Sequence, residues 1–255
     1  MVLAAGRGRR FGGLKQLAAV RADRATVTDV LLQRAEEAGV ERAVIVVRAE
    51  IEPRVRAHLD AIGWPSISTA FAVQREARGT ADAVLAARDA VDGPLIVVNA
   101  DDLYPAAGFR ALVDHLRDAP DIEHATVAFR LDRTLLGPRP ESRALLTVDD
   151  NGVLVGVREG RIEKADGLRF ARGDEAEPLR GDELVSMNMW AFRPAVFADI
   201  VAAVSEHADS GELYLPDVVA RMIATGATVR VLLSHETCIG LTYGEDVDAL
   251  RTALS

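Results

Sequence analysis

The sequence predicts an α/β protein built on a mixed, mostly parallel central sheet with helices on both faces. Three observations predict it. Residues 43–47 and 95–98 are short, β-branched and apolar throughout, as strands covered on both faces are. Stretches with helical spacing separate such runs. The two kinds of segment alternate through the first 100 residues, and strand–helix alternation produces parallel βαβ units.

Taken in order, Met1-Val2-Leu3 leaves room for only a short first strand. Residues 27–38 read as a helix, closed by Gly39 as its C-cap glycine. A strand over 43–47, a helix over 53–61, a strand over 66–73, a helix over 80–90 and a strand over 95–98 follow. The character changes after about Pro120. Residues 126–131, 144–148 and 153–157 read as strands, and Asp149-Asp150-Asn151-Gly152 joins the last two as a hairpin. Residues 134–143 and the charged, glycine-rich 165–183 read as loops, the second as a flexible insertion. A strand over 185–192, helices over 195–205 and 213–224, a strand over 228–233 and a helix after Gly244 complete the chain.

Bulk properties narrow the function. With 255 residues, 49% of them hydrophobic and 27% charged, the chain is ordinary for a soluble globular domain with a real core. A formal net charge of −9 argues against nucleic-acid binding, which needs a basic footprint. It leaves a nucleotide ligand open, because backbone amides, a few local cations and a metal suffice for one triphosphate. The single Cys238 rules out an internal disulfide framework and a multi-cysteine zinc site. The chain has no apolar run of membrane-spanning length, and its start has no basic leader region, so a cytoplasmic enzyme with no membrane partner is expected.

The first segment able to carry chemistry is Gly6-Arg7-Gly8-Arg9-Arg10, directly after the first strand. Glycines there let the backbone approach an anion and turn its N–H groups toward phosphate oxygens. Arg10 and Lys15 add cations suited to phosphates and to a departing pyrophosphate. A plain glycine turn with exposed basic residues is the other reading. The P-loop pattern GxxxxGK[ST] is absent, and Phe11 stands where a dinucleotide fingerprint needs its third glycine. Asp101 and Asp102 follow the buried strand 95–98, at the strand end where open α/β sheets bind ligands. Adjacent carboxylates repel unless a cation offsets them, so Mg²⁺ is their natural partner, chiefly on Asp101. Asp102 has a second reading, as the N-cap of a helix containing Pro105.

The run LAAG-x-G-x-R-F followed by Lys15 resembles the signature of sugar-1-phosphate nucleotidyltransferases, the NDP-sugar pyrophosphorylases. Further matches follow in the family's order and reach to about Leu250. Gln74 with Gly79-Thr80-Ala81-Asp82-Ala83 is similar to the base-reading segment, Asn99-Ala100-Asp101-Asp102 to the metal-holding strand end, and Glu163-Lys164 to the pair that meets the sugar phosphate. Ser186-Met187-Asn188-Met189-Trp190 and Glu212-Leu213-Tyr214-Leu215-Pro216-Asp217 match two later positions. The resemblance implies a Rossmann-like, GT-A-like fold over residues 1–255, with a nucleotide-binding half to about 120 and an acceptor-binding half beyond. It implies transfer of NMP from an NTP to a phosphomonoester, with Mg²⁺ on Asp101 and a possible homo-oligomer. Leu3, Ala4, Ala5, Gly6, Gly8, Gln74, Gly79, Thr80 and Asp101 would bind the nucleotide. Arg10, Lys15, Asp101 and Lys164 would be catalytic, and Glu163, Lys164, Asn188 and Glu212 would hold the acceptor.

Several of these residues have plainer readings. Gln74 offers both donor and acceptor to a pyrimidine edge, or lies exposed at a strand end. Lys164 meets the acceptor phosphate or is one solvated charge in a charged stretch. Asn188 finds a sugar hydroxyl or a backbone group, and Glu212 orders a hydroxyl or caps the helix after it. Met187, Met189, Trp190 and Phe192 read as core.

The pattern breaks near the C-terminus. The family's second metal carboxylate falls at Gly240, leaving Glu236, Glu245 or Asp246 as substitutes. The same tail, with Lys15-Gln16, is similar to the cytidylyltransferases of isoprenoid synthesis, which act on polyol phosphates. A catalytically weak, nucleotide-sensing regulator on the same fold is a further alternative. A glycosyltransferase would want Asp-x-Asp where Asn99-x-Asp101 stands.

Overall fold

The computed structural model describes residues 1–8, 10–62, 67–165, 167–207 and 211–254. Arg9 of the glycine run, Ser66 at the start of the strand expected over 66–73, and Asp166 of the expected insertion lie outside these residues. The strands are β1 (Val2–Leu3), β2 (Arg42–Val47), β3 (Ser68–Val73), β4 (Leu95–Asn99), β5 (Asp102–Leu103), β6 (His124–Arg130) and β7 (Glu141–Val148). They continue as β8 (Leu154–Glu163), β9 (Arg169–Arg172), β10 (Glu175–Pro178), β11 (Leu184–Phe192), β12 (Val229–Ser234) and β13 (Ile239–Gly240). The helices are α1 (Val27–Glu37), α2 (Glu52–Ile62), α3 (Thr80–Ala86), α4 (Ala106–Asp118), α5 (Val196–Glu206), α6 (Leu215–Ala224) and α7 (Asp246–Ala253).

One eleven-stranded sheet runs β10-β9-β8-β7-β11-β4-β1-β2-β3, with β6 paired to β11 and β12 to β6. Pairing is parallel from β4 through β1 and β2 to β3, and again between β6 and β12. Strand β11 turns the pairing antiparallel toward β4, β6 and β7. The two faces follow from alternation along the buried strands. Val2, Ile45 and Val47 pack with Leu31 and Leu32 of α1, Val55 of α2 and Leu112 of α4. Leu3, Val44 and Val46 pack on the other face with Val84 of α3, Ile200 of α5 and Val218 of α6. Helix α1 starts at a reciprocal cap: Thr26 Oγ1 accepts from the Asp29 N–H at 3.2 Å, and the Asp29 carboxylate accepts from the Thr26 N–H at 2.7 Å.

Three expectations need correction. The segment 165–183 contains the hairpin β9–β10, which extends the sheet through pairing of β9 with β8. Strand β8 runs to Glu163, well beyond the expected 157, and pairs along its length with β7. Strand β7 begins at Glu141, so the loop expected over 134–143 closes earlier. None of the described helices is long and apolar enough to cross a membrane.

Candidate active site

The ends of β1, β3 and β4 open into a cleft of about 710 Å³, which also reaches β7, β8, β11 and the segment before α6. Leu3, Ala5, Gly6, Gly8, Arg10 and Lys15 form one wall. Ala4 lies beneath it, fully buried, with its N–H on Val46 O at 2.8 Å. Gln16 staples the loop from behind, its Nε2 donating to Ala4 O at 2.8 Å and Gly6 O at 3.2 Å. Gly8 takes a positive φ of 57°, and a Cβ there would press on Gly13 O at 3.2 Å, which fits the tight turn expected of a phosphate-approaching loop. The Lys15 ammonium pairs with the Asp101 carboxylate across the cleft. The Arg10 guanidinium lies 5.7 Å from the centroid of the Tyr243 ring, and Arg139 lies 4.3 Å from the same ring.

Gln74 and Gly79 mark the far end of this wall. Gln74 Nε2 donates to Gly79 O at 3.0 Å and Asp82 Oδ2 at 2.9 Å. Both amide hydrogens are therefore spent within the fold, leaving Oε1 as the only free group, where the expected pyrimidine contact needed a donor as well. Thr80 Oγ1 accepts from Leu215 N at 2.8 Å, and Leu213 O accepts from Ala81 N at 3.2 Å, so the start of α3 is sewn to the segment carrying Glu212.

Beneath the cleft runs a polar chain. Trp190 Nε1 donates to Asn188 Oδ1 at 2.8 Å, Asn188 Nδ2 to Asn99 Oδ1 at 2.8 Å, and Asn99 Nδ2 to Asp102 Oδ2 at 2.8 Å. Tyr104 Oη lies 3.1 Å from the same Asp102 oxygen and donates to Met187 O at 2.6 Å. Asn188 holds a left-handed φ of 61°, a conformation Asn tolerates better than most residues. Its amide bonds two side chains rather than a backbone group, and Asn188 still lines the cleft. The surrounding Met187, Met189, Trp190 and Phe192 are core. Asp102 sits in β5 rather than at a helix cap, since α4 is preceded by Pro105 with no side-chain cap. Burial, and then the Asp101 charge, push the Asp102 carboxyl up to about 6.

The acceptor end departs most from expectation. Neither Glu163 nor Lys164 lines the cleft. Buried Glu141 draws the Lys164 ammonium to itself, and Leu136 O and Gly137 O complete its shell at 2.9 and 3.1 Å. Glu163 pairs with Arg161 at 2.5 Å. Arg143, Glu159 and Tyr214 line the cleft there beside Glu212. Arg143 is braced by Glu141 at 2.5 Å and Thr134 Oγ1 at 3.0 Å. Burial, followed by the charge of Asp217, pushes Glu159 up to about 7 against the pull of Arg143 and Arg172. Glu212 accepts from Tyr214 Oη at 2.6 Å and does not cap α6, whose N-cap is Tyr214. Two of the three substitutes for a carboxylate at Gly240 are engaged: Asp246 accepts from Thr242 N and Tyr243 N at 2.8 and 2.6 Å, and Glu245 pairs with Arg139 at 2.9 Å; the third, Glu236, does not line the cleft.

The chain is 28% identical over 228 residues to the bifunctional protein GlmU of Synechococcus sp. strain CC9902, covering 87% of this chain and 45% of that protein. It is 26% identical over 243 residues to the same-named protein of Staphylococcus carnosus, covering 92% and 47%. The chain thus spans about half the length of these curated relatives. Two solved structures share its fold at 16% identity, each covering 98% of this chain and 93% of the other. One is the inositol-1-phosphate CTP transferase from T. maritima, at a TM-score of 0.72. The other is a putative glucose-1-phosphate thymidylyltransferase from Bacillus anthracis, at 0.74. The family model described as nucleotidyl transferase matches residues 1–134, more than half the chain, and the chain belongs to that family.

Proposed function

We propose that the chain transfers a nucleotidyl group from an NTP to a sugar 1-phosphate, giving an NDP-sugar and pyrophosphate. The observation that carries this reading is the meeting of Lys15 and Asp101 in one cleft, with Gln74 and Gly79 on one side and Arg143, Glu159 and Glu212 on the other. A ring-bearing 1-phosphate is also what both structural neighbours act on by name. The acceptor's phosphate oxygen attacks the α-phosphorus in line, so catalysis consists of positioning and charge neutralisation. Lys15 and Arg10 bind the β- and γ-phosphates and hold the departing pyrophosphate. Gln74 Oε1 accepts from a base N–H, and the carboxylates of Glu159 and Glu212 accept from sugar hydroxyls.

The donor set suits Mg²⁺, which takes one or two carboxylates and leaves its other positions to phosphate and water. Asp101 provides an accessible carboxylate at the strand end, and among the described residues no group of three or more His, Cys, Asp or Glu forms a closed cage. When bound there, the ion neutralises charge on the transferred phosphate.

The test is pyrophosphate release from Mg²⁺, each of the five common NTPs, and a panel of hexose, hexosamine and polyol phosphates. One NTP with a sugar 1-phosphate should dominate, and release from none of the pairs would sink the reading. Glu159 adds a pH signature. Below about pH 7 its carboxyl is neutral, and above that it is the stronger acceptor for a hydroxyl. Acceptor KM is therefore expected to fall as pH rises through 7, and Glu159→Gln should flatten that dependence.

A further inference from the structure

Gly240 and Asp102 are direct partners across the β13–β5 pair. They compete for one volume. A Cβ on Gly240 would stand 2.5 Å from Asp102 Oδ1 and 3.7 Å from its Cγ, so a side chain at 240 requires the Asp102 carboxyl to leave its present position and its bond to Asn99. Asp102 carries it, with its side chain more than nine-tenths buried. Oδ2 accepts from Asn99 Nδ2, with Tyr104 Oη 3.1 Å away. Oδ1 has no hydrogen-bond partner among the described residues, and the side chain borders the cleft. The neighbouring Leu241 N–H donates to Asp101 O at 2.7 Å, which holds both aspartates and position 240 together.

We propose that Asp102 Oδ1 is the second carboxylate ligand of the divalent cation, supplied from β5 in place of the side chain that Gly240 lacks. The assignment rests on the transferase reading above and deepens it. It explains both departures with one exchange: a carboxylate moved across the strand pair requires glycine where it came from. The Asn99 bond gives Asp102 the outer support that orients a metal-ligating carboxylate. Asp101, at the adjacent position, supplies the first ligand.

Binding of Mn²⁺ alone, read from loss of the free-ion paramagnetic resonance signal, tests this without turnover. Asp102→Asn keeps the shape and the acceptor for Asn99, and should weaken Mn²⁺ by roughly tenfold or more, as should Asp101→Asn. The exchange Asp102→Gly with Gly240→Asp should bind within about threefold of wild type, while Asp102→Gly alone stays weak. Wild-type affinity in Asp102→Asn, or an exchange variant no better than Asp102→Gly, overturns the assignment. Should the wild type still release pyrophosphate in that case, the transferase reading stands. A wild type that releases none from any substrate pair overturns that reading instead.

Discussion

Replacing Lys15 by alanine should slow pyrophosphate release at saturating NTP by roughly a thousandfold, the upper range for removing one preorganised charge donor from a reacting phosphate or oxyanion. The side chain is well placed for it: it leaves the short 3₁₀ turn Lys15–Leu17, which packs behind the glycine loop, and crosses to Asp101. Its backbone is fixed independently of its charge, because the neighbouring Gln16 is bonded to Ala4 O and Gly6 O. The variant should therefore fold normally, with a thermal midpoint within a few degrees of wild type. Lys15→Arg should recover little, since a planar fork cannot replace a compact ammonium at a phosphate. A loss below tenfold in Lys15→Ala would assign the ion pair with Asp101 to structure rather than to transfer.

How far this site was legible in the sequence depends on the range of the interactions involved. The glycine loop, Gln74 with Gly79 and Thr80, and Asp101 are set by local order: a strand end, a glycine or an aspartate, then a helix. Such signals lie within a dozen residues of one another and read directly. Lys164 failed for the opposite reason. Its partner Glu141 lies on the strand paired with β8, and only the β7–β8 register brings the two together. A lysine in a charged stretch does not announce which buried carboxylate will claim it. Arg143 was hidden by its assignment to a loop, and Glu159 by the charges beside it. The β9–β10 hairpin was missed because edge strands need little apolar content: of Arg169–Arg172 only Phe170 is buried, too little alternation to read. Gly240 was read as a missing carboxylate, and only the cross-strand register shows that Asp102 fills its space.

Gly79→Ala should be the most damaging single-methyl change in the chain. Two costs add there, and a second glycine separates them. Gly79 holds a φ of 95°, and Gly39, behind α1, holds 93°. A Cβ at Gly39 meets nothing within 4 Å, so Gly39→Ala carries only the backbone penalty of about 1–2 kcal/mol. A Cβ at Gly79 would stand 2.2 Å from Leu213 O and 2.8 Å from Leu213 N, both backbone atoms that cannot rotate away. Those atoms are already in use: Leu213 N donates to Arg78 O at 2.9 Å, and Leu213 O accepts from Ala81 N. Relief requires pulling α3 from the 212–215 segment, which breaks these bonds and the Thr80–Leu215 contact together. The total should reach about 3–5 kcal/mol, lowering the midpoint by roughly 10 °C or more in a chain of this size. Molecules that remain folded should bind NTP poorly as well, because the same movement displaces Gly79 O from Gln74 and frees the amide to rotate away from the base. Equal losses in Gly39→Ala and Gly79→Ala, measured side by side by thermal unfolding, would show that the seam between α3 and the 212–215 segment yields easily, and that the base end of the cleft is not built on it.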